Sequence, residues 1–92
     1  MKDATFRVDF EAAASIHDNG IVILHMGNGH MYAANETGAR IWRGIVQQQS
    51  LHAIATEISD EYQVPITSAF EQVMAFVSDL ERHSLVQRQE NS

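Results

Sequence analysis

The sequence predicts an α+β domain in which a three-stranded antiparallel sheet at the N-terminus leads into a bundle of three helices. Two observations carry this. The stretch Asn19–Trp42, NGIVILHMGNGHMYAANETGARIW, holds a β-hairpin signal and a helix start separated by Asn35 alone. Downstream of it, apolar residues recur at helical spacing in three successive segments.

Near the N-terminus, Phe6, Val8 and Phe10 alternate with polar residues, the period of a half-buried strand. The run Ala12–Ser15 reads equally as a helical turn or a connector. In Ile21–Leu24, three of four side chains are β-branched, and the run stops at Gly27-Asn28-Gly29, where positive φ costs little and the chain can reverse. The returning strand, His30–Ala34, has one large aromatic, Tyr32, before two alanines, so another backbone can approach it closely. It has the composition of an accessible edge.

Asn35 is placed to cap the first helix, with Glu36 at the positive end of its dipole. This helix should run to about Gln47, with Ala39, Trp42, Ile45 and Val46 forming its apolar stripe. Gly38 weakens the helix, which points to close packing at that position. Ser50 caps a second helix, whose Leu51, Ile54, Ala55, Ile58 and Tyr62 repeat at helical spacing. Pro65 pushes Val64 out of the helical region and ends it. A third helix is expected from Thr67 or Ser68, with a Ser68/Glu71 capping box, to about His83. Leu85 and Val86 follow as an apolar clamp. On the third helix, Ala69, Val73, Phe76 and Leu80 centre an apolar arc that Phe70, Met74 and Val77 widen to about 160°. One core contact needs less, so the extra flank either packs under the N-terminal segment or lines a groove beside the edge strand. Methionine suits such a groove because its thioether chain adapts to varied apolar partners.

Composition excludes several classes of function. The 92 residues carry twelve acidic and six basic side chains, a formal charge of −6, and the only lysine is Lys2. Binding nucleic acid calls for several cations converging on phosphates, so a DNA partner is disfavoured. There is no cysteine, hence no disulfide framework and no thiolate site, and no apolar run approaches the ~18 residues of a membrane span. With neither a secretory nor a transit-peptide pattern at the N-terminus, the expected location is the cytoplasm. His17, His25, His30, His52 and His83 show no ligand spacing and read as surface residues, although His25 and His30 face each other across the hairpin turn. No metal or cofactor is expected. Nucleophile elbow and phosphate-loop motifs are lacking, Asp60-Glu61 reads as solvated surface, and the chain is not expected to be an enzyme.

The order of these segments resembles the PqqD-like family, the RiPP recognition elements, over about residues 19–86. The resemblance rests on Gly20–Leu24, Tyr32, the phrase Asn35-Glu36-Thr37-Gly38-Ala39 with Ile41-Trp42, Ser50-Leu51, Ile54-Ala55 and Tyr62-x-Val64. It continues through Val73, Phe76, Val77, Leu80 and Leu85-Val86. It implies a winged-helix-like domain that binds the leader segment of a ribosomally made precursor peptide. The leader would add as a strand to the third strand and pack on the third helix. Carried over by position, His30, Met31, Tyr32, Ala33 and Ala34 would supply the pairing edge, and Phe70, Val73, Met74 and Val77 the pocket wall. The implied partners are that leader peptide and a modifying enzyme, either a radical-SAM maturase or a lasso-peptide leader peptidase with its cyclase. An open edge also allows a homodimer by strand pairing. A winged-helix DNA-binding regulator is the alternative reading. Ala33-Ala34 departs from the bulkier residue more usual in the family before the Asn, which alters the expected pocket floor.

Overall fold

The computed structural model describes residues 5–89. Its elements run β1 (Thr5–Val8), β2 (Ala12–His17), β3 (Gly20–His25), β4 (Met31–Asn35), α1 (Glu36–Val46), α2 (Leu51–Tyr62), α3 (Ile66–Arg82) and β5 (Val86–Gln89). The α+β class and the three helices match the expectation from sequence, whereas the sheet is arranged differently. Strands β2, β3 and β4 form an antiparallel meander in that order, and β1 pairs separately with β5.

The alternating segment at Phe6 thus forms a strand, but not the first strand of the hairpin sheet. Its register sets Thr5 opposite Gln89 and Val8 opposite Val86, joining the two ends of the described chain. Phe6 is buried, while Phe10 lies beyond the strand and is 92% exposed. The first place in the meander goes to Ala12–His17. Small side chains give that segment little strand preference of its own, and β3 imposes it by pairing every residue from Ala12 to His17. The Leu85-Val86 clamp is buried as expected and continues into β5, whose Gln87, Arg88 and Gln89 carry no apolar alternation to announce a strand.

Strand β3 is the centre of the meander. Ile21, Ile23 and His25 share one face and are buried, as period-two alternation requires, the two isoleucines in the core shared with the helices. The turn after it includes Gly29 at φ +77°, the left-handed geometry glycine permits. Asn35 then ends β4 and caps α1, its Oδ1 accepting the Gly38 N–H at 3.0 Å. The close approach inferred for Gly38 is present: a Cβ there would sit 2.6 Å from the Ala34 Cβ and 3.0 Å from the Phe76 ring.

One core joins Ile21 and Ile23 of the sheet to the inner faces of all three helices and to Phe6, Leu85 and Val86. In α1 the buried face is Ala39, Ile41, Trp42 and Ile45; Val46, expected in the stripe, is exposed instead. In α2, capped by the Ser50 hydroxyl as expected, Leu51, Ile54, Ala55 and Ile58 are buried, and Tyr62 stays at the surface. Gln63 leaves α2 in the left-handed region and Pro65 follows. Helix α3 starts at Ile66, with Pro65 at its N-cap position and no side-chain cap. The Ser68/Glu71 capping box is therefore not used: proline's fixed φ already favours the helical turn one residue earlier than that signal implies.

Trp42 is the largest side chain of this core and is nearly fully enclosed. Trp42→Ala should cost about 3 to 5 kcal/mol of folding stability, read from denaturant or thermal unfolding. A loss under about 1 kcal/mol would place the indole outside the cooperative core.

Candidate functional site

Two outer strands, β2 and β4, flank β3, and β4 is the one that runs directly into a helix, α1. The ladder is phased by the His25 N–H, which donates to the His30 carbonyl at 2.9 Å. Hydrogen-bonded pairs alternate with non-bonded ones in an antiparallel ladder, so Ile23/Tyr32 and Ile21/Ala34 are the bonded pairs. The N–H and C=O groups of Met31 and Ala33 consequently point away from β3, to the open edge. Their side chains face solvent, whereas Tyr32 and Ala34 face the helical layer and are half-buried.

Alongside this edge lies a cleft of about 300 Å³ between the β4–α1 junction and α3. Asn35, Gly38 and Ile41 form one wall; Gln72, Ala75, Phe76 and Asp79 of α3 form the other. Tyr32 spans its end. Its ring packs 5.9 Å from Phe76 and 5.2 Å from His83, and its hydroxyl donates to Asp79 Oδ2 at 3.2 Å. Asp79 Oδ1 in turn accepts from Arg82. Partial burial raises the Tyr32 phenol above its ordinary range, with its hydrogen bond to Asp79 and that carboxylate's charge adding to the effect.

The structure brings Met31, Tyr32, Ala33 and Ala34 together on one accessible edge, with His30 in the turn just before it. It does not bring the expected wall residues of α3 to that edge. Val73 and Val77 are enclosed in the core, at 0% and 1% exposure. Phe70 and Met74 are partly exposed, but at 100° per residue they lie about 120° and 160° around the helix from Phe76, on the far flank. Phe70 instead borders a shallow apolar depression with His52 and Ile66. The flank beside β4 is that of Gln72, Ala75, Phe76 and Asp79. Of these only Phe76 stood out in the sequence, because the wall is built from small and polar side chains that no apolar pattern marks.

His25 is buried rather than superficial. Its Nδ1 accepts the Gly27 and Asn28 N–H groups at 3.1 and 3.2 Å, so the neutral ring carries its proton on Nε2, which faces Asp9 Oδ2 at 3.7 Å. Asp9 also accepts from the Glu11 N–H at 2.9 Å and from Gln87 Nε2 at 2.5 Å. Asp9, Glu11 and His25 group their ligand atoms within 4.8 Å, which resembles a cation site. Yet a metal on Nε2 requires the ring proton on Nδ1, where two amide N–H groups already point. The cluster is committed to clamping the β3–β4 turn to β1 and β5.

β4 thus presents an open edge of main-chain donors and acceptors, and the chain passes from it at Asn35 into the cleft. The chain belongs to the PqqD family: the family model described as coenzyme PQQ synthesis protein D (PqqD) matches residues 20–86. Two solved structures are similar to it. One, "TbiB1 in Complex with the TbiA(beta) Leader Peptide", superposes with a TM-score of 0.84 over 92% of this chain and 99% of that chain, at 20% identity. The other, "Lasso peptide synthetase B1 complexed with the leader peptide", has a TM-score of 0.82 over 89% of this chain and 96% of that chain, at 27% identity. At 20% identity the first likeness speaks for the fold alone. No curated protein matches the sequence. Among the described residues, no helix is long and apolar enough to cross a membrane.

The ladder phase makes neighbouring prolines unequal. Ala33→Pro deletes an N–H at the open edge and should change the unfolding midpoint little, while Ala34→Pro deletes a bond to β3 and should destabilise the fold by about 3 kcal/mol or more. Equal losses in unfolding experiments would show that the ladder is phased the other way. For Tyr32, a folded-state pKa above the unfolded value of 10.0 means that its contribution to stability is complete below that pH and disappears as the pH rises through the folded value. Stability measured against pH in that alkaline range should fall less steeply in Tyr32→Phe than in the wild type.

Proposed function

We propose that this protein binds the leader segment of a ribosomally synthesised precursor peptide by strand addition to β4, and presents it to the enzyme that modifies or cleaves that peptide. One observation carries the reading: β4, whose Met31 and Ala33 turn their N–H and C=O groups outward, leads at Asn35 into a cleft between the start of α1 and α3. An incoming strand would bond to those groups and turn alternate side chains, the ones falling beside Tyr32 and Ala34, into the cleft. Membership of the PqqD family and the likeness to a lasso peptide synthetase B1 complexed with a leader peptide support the same reading. The site in this proposal is the His30–Ala34 segment with Ala75, Phe76 and Asp79 across the cleft.

The chain contributes binding rather than chemistry. Its enclosed polar cluster, Asp9, Glu11 and His25, is occupied in holding a turn. The enzyme partner would be a radical-SAM maturase or a leader peptidase with its cyclase, and the complex would form in the cytoplasm, where the precursor is translated. Of the two pathways, the lasso type has the structural likeness behind it.

Titration with the leader of a short precursor encoded beside this gene, followed by calorimetry, tests the proposal. Binding should be tighter than about 100 μM, or −5.5 kcal/mol; weaker binding speaks against it. Ala33→Pro should lose most of that affinity while staying folded. Ala75→Glu, which places a charge in the cleft from an exposed position, should do the same. Met74→Glu, on the far flank, should bind as the wild type does; if Met74→Glu and not Ala75→Glu abolishes binding, the peptide uses the other side of α3.

A further inference from the structure

Asp79 is the one charged residue that lines the β4–α3 cleft. Around it Gly38, Ile41, Ala75 and Phe76 give an apolar middle, and Asn35, Thr37 and Gln72 add uncharged polar groups. Tyr32 meets Phe76, Asp79 and His83 along α3, whereas Ala34 and Gly38 lie together at the Phe76 end. Passing along β4 from Ala34 to Tyr32 therefore leads from the apolar middle of the cleft to the Asp79 carboxylate.

From this geometry we infer that Asp79 is a specificity determinant, selecting peptides that carry a Lys or Arg two positions from the apolar side chain seated in the middle of the cleft. The inference rests on the strand-addition role proposed above and deepens it. Two residues of an added strand span about 6.6 to 6.8 Å. Helix α3 rises about 4.5 to 6 Å between Ala75 or Phe76 and Asp79. Successive inward side chains of the peptide thus match the apolar middle and the carboxylate, giving apolar-x-basic in one strand direction and basic-x-apolar in the other.

Asp79 has capacity for this contact. A carboxylate has about four acceptor positions, and Tyr32 and Arg82 engage one on each oxygen. The Arg82 partner is an exposed i, i+3 neighbour, a pairing that is weak and readily exchanged. Tyr32, held by the same carboxylate, fixes where the charge stands relative to the edge strand. A formal charge of −6 on the whole chain also favours the approach of a cationic peptide.

A displayed library of random peptides, about a dozen residues long, selected on the full chain and counter-selected on Ala33→Pro, supplies probes that need no known partner. The enriched sequences should share an apolar and a basic residue separated by one position, in a single consistent order. For a synthetic peptide taken from them, replacing the basic residue by Gln should weaken binding about tenfold. Asp79→Asn keeps an acceptor for Tyr32 and should weaken the basic peptide by the same factor, with no effect on the Gln peptide. Enrichment of edge-dependent peptides without a basic residue overturns the inference, as does enrichment of acidic ones, which would make Arg82 the reader. Should no edge-dependent peptide be enriched, the strand-addition role itself fails. The substitution made in the peptide keeps the question decidable even if Asp79→Asn is found to unfold.

Discussion

Everything distinctive in this structure depends on Asn35 being at once the last residue of β4 and the cap of α1. Its side chain accepts the Gly38 N–H, so the chain passes from strand to helix with no linker. That abrupt junction brings Gly38 against both Ala34 and the Phe76 ring of α3. A Cβ at position 38 would collide with its neighbours. The cleft beside β4 is therefore a product of the junction: α1 begins too close to the strand for α3 to cover the edge, yet near enough for Tyr32 to reach Phe76 and Asp79.

The edge survives because the rest of the molecule holds it without pairing it. Strand β3 satisfies one side of β4, and the turn that delivers β4 is clamped by His25, whose Nδ1 accepts two amide N–H groups. Asp9 extends the clamp to β5 through Gln87 and, at longer range, faces the His25 ring. The two sheets are thus mechanically linked even though no strand is shared between them. Main-chain groups at the open edge are solvated in the absence of a partner. In the proposed role, exchanging water for a peptide strand would satisfy them again, and the side chains on the inward face would determine which peptide gains most.

Sequence reasoning reached the local features because each is written in a few adjacent residues. The Asn35 cap, the Gly27–Gly29 turn, the Ser50 cap and the termination of α2 before Pro65 all depend on side chain to backbone bonds or steric exclusion within one turn. The buried faces of α1 and α2 followed from periodicity, with Val46 and Ile41 misjudged by a step at the edge of the stripe. Strands β2 and β5 escaped notice because Ala12–His17 and Val86–Gln89 lack alternation; each is a strand by virtue of its partner. The side of α3 that meets β4 escaped for a related reason. Periodicity measures how wide an apolar arc is, but the arc from Phe76 to Met74 has two flanks, and nothing local distinguishes them.

By itself, then, the chain's order of residues determined that three helices follow a hairpin, that the second strand of this hairpin has a bare edge, and which family the whole resembles. These properties depend on interactions over a few residues, or on a pattern carried along the chain. Only the tertiary structure decided that β1 closes on β5 rather than on the hairpin, that His25 is buried as a clamp, and that Ala75, Phe76 and Asp79 rather than Phe70 and Met74 stand across from β4. Those choices are made by the packing of elements far apart in sequence, where the relative rotation of a helix and a sheet is settled by the shape of the core as a whole.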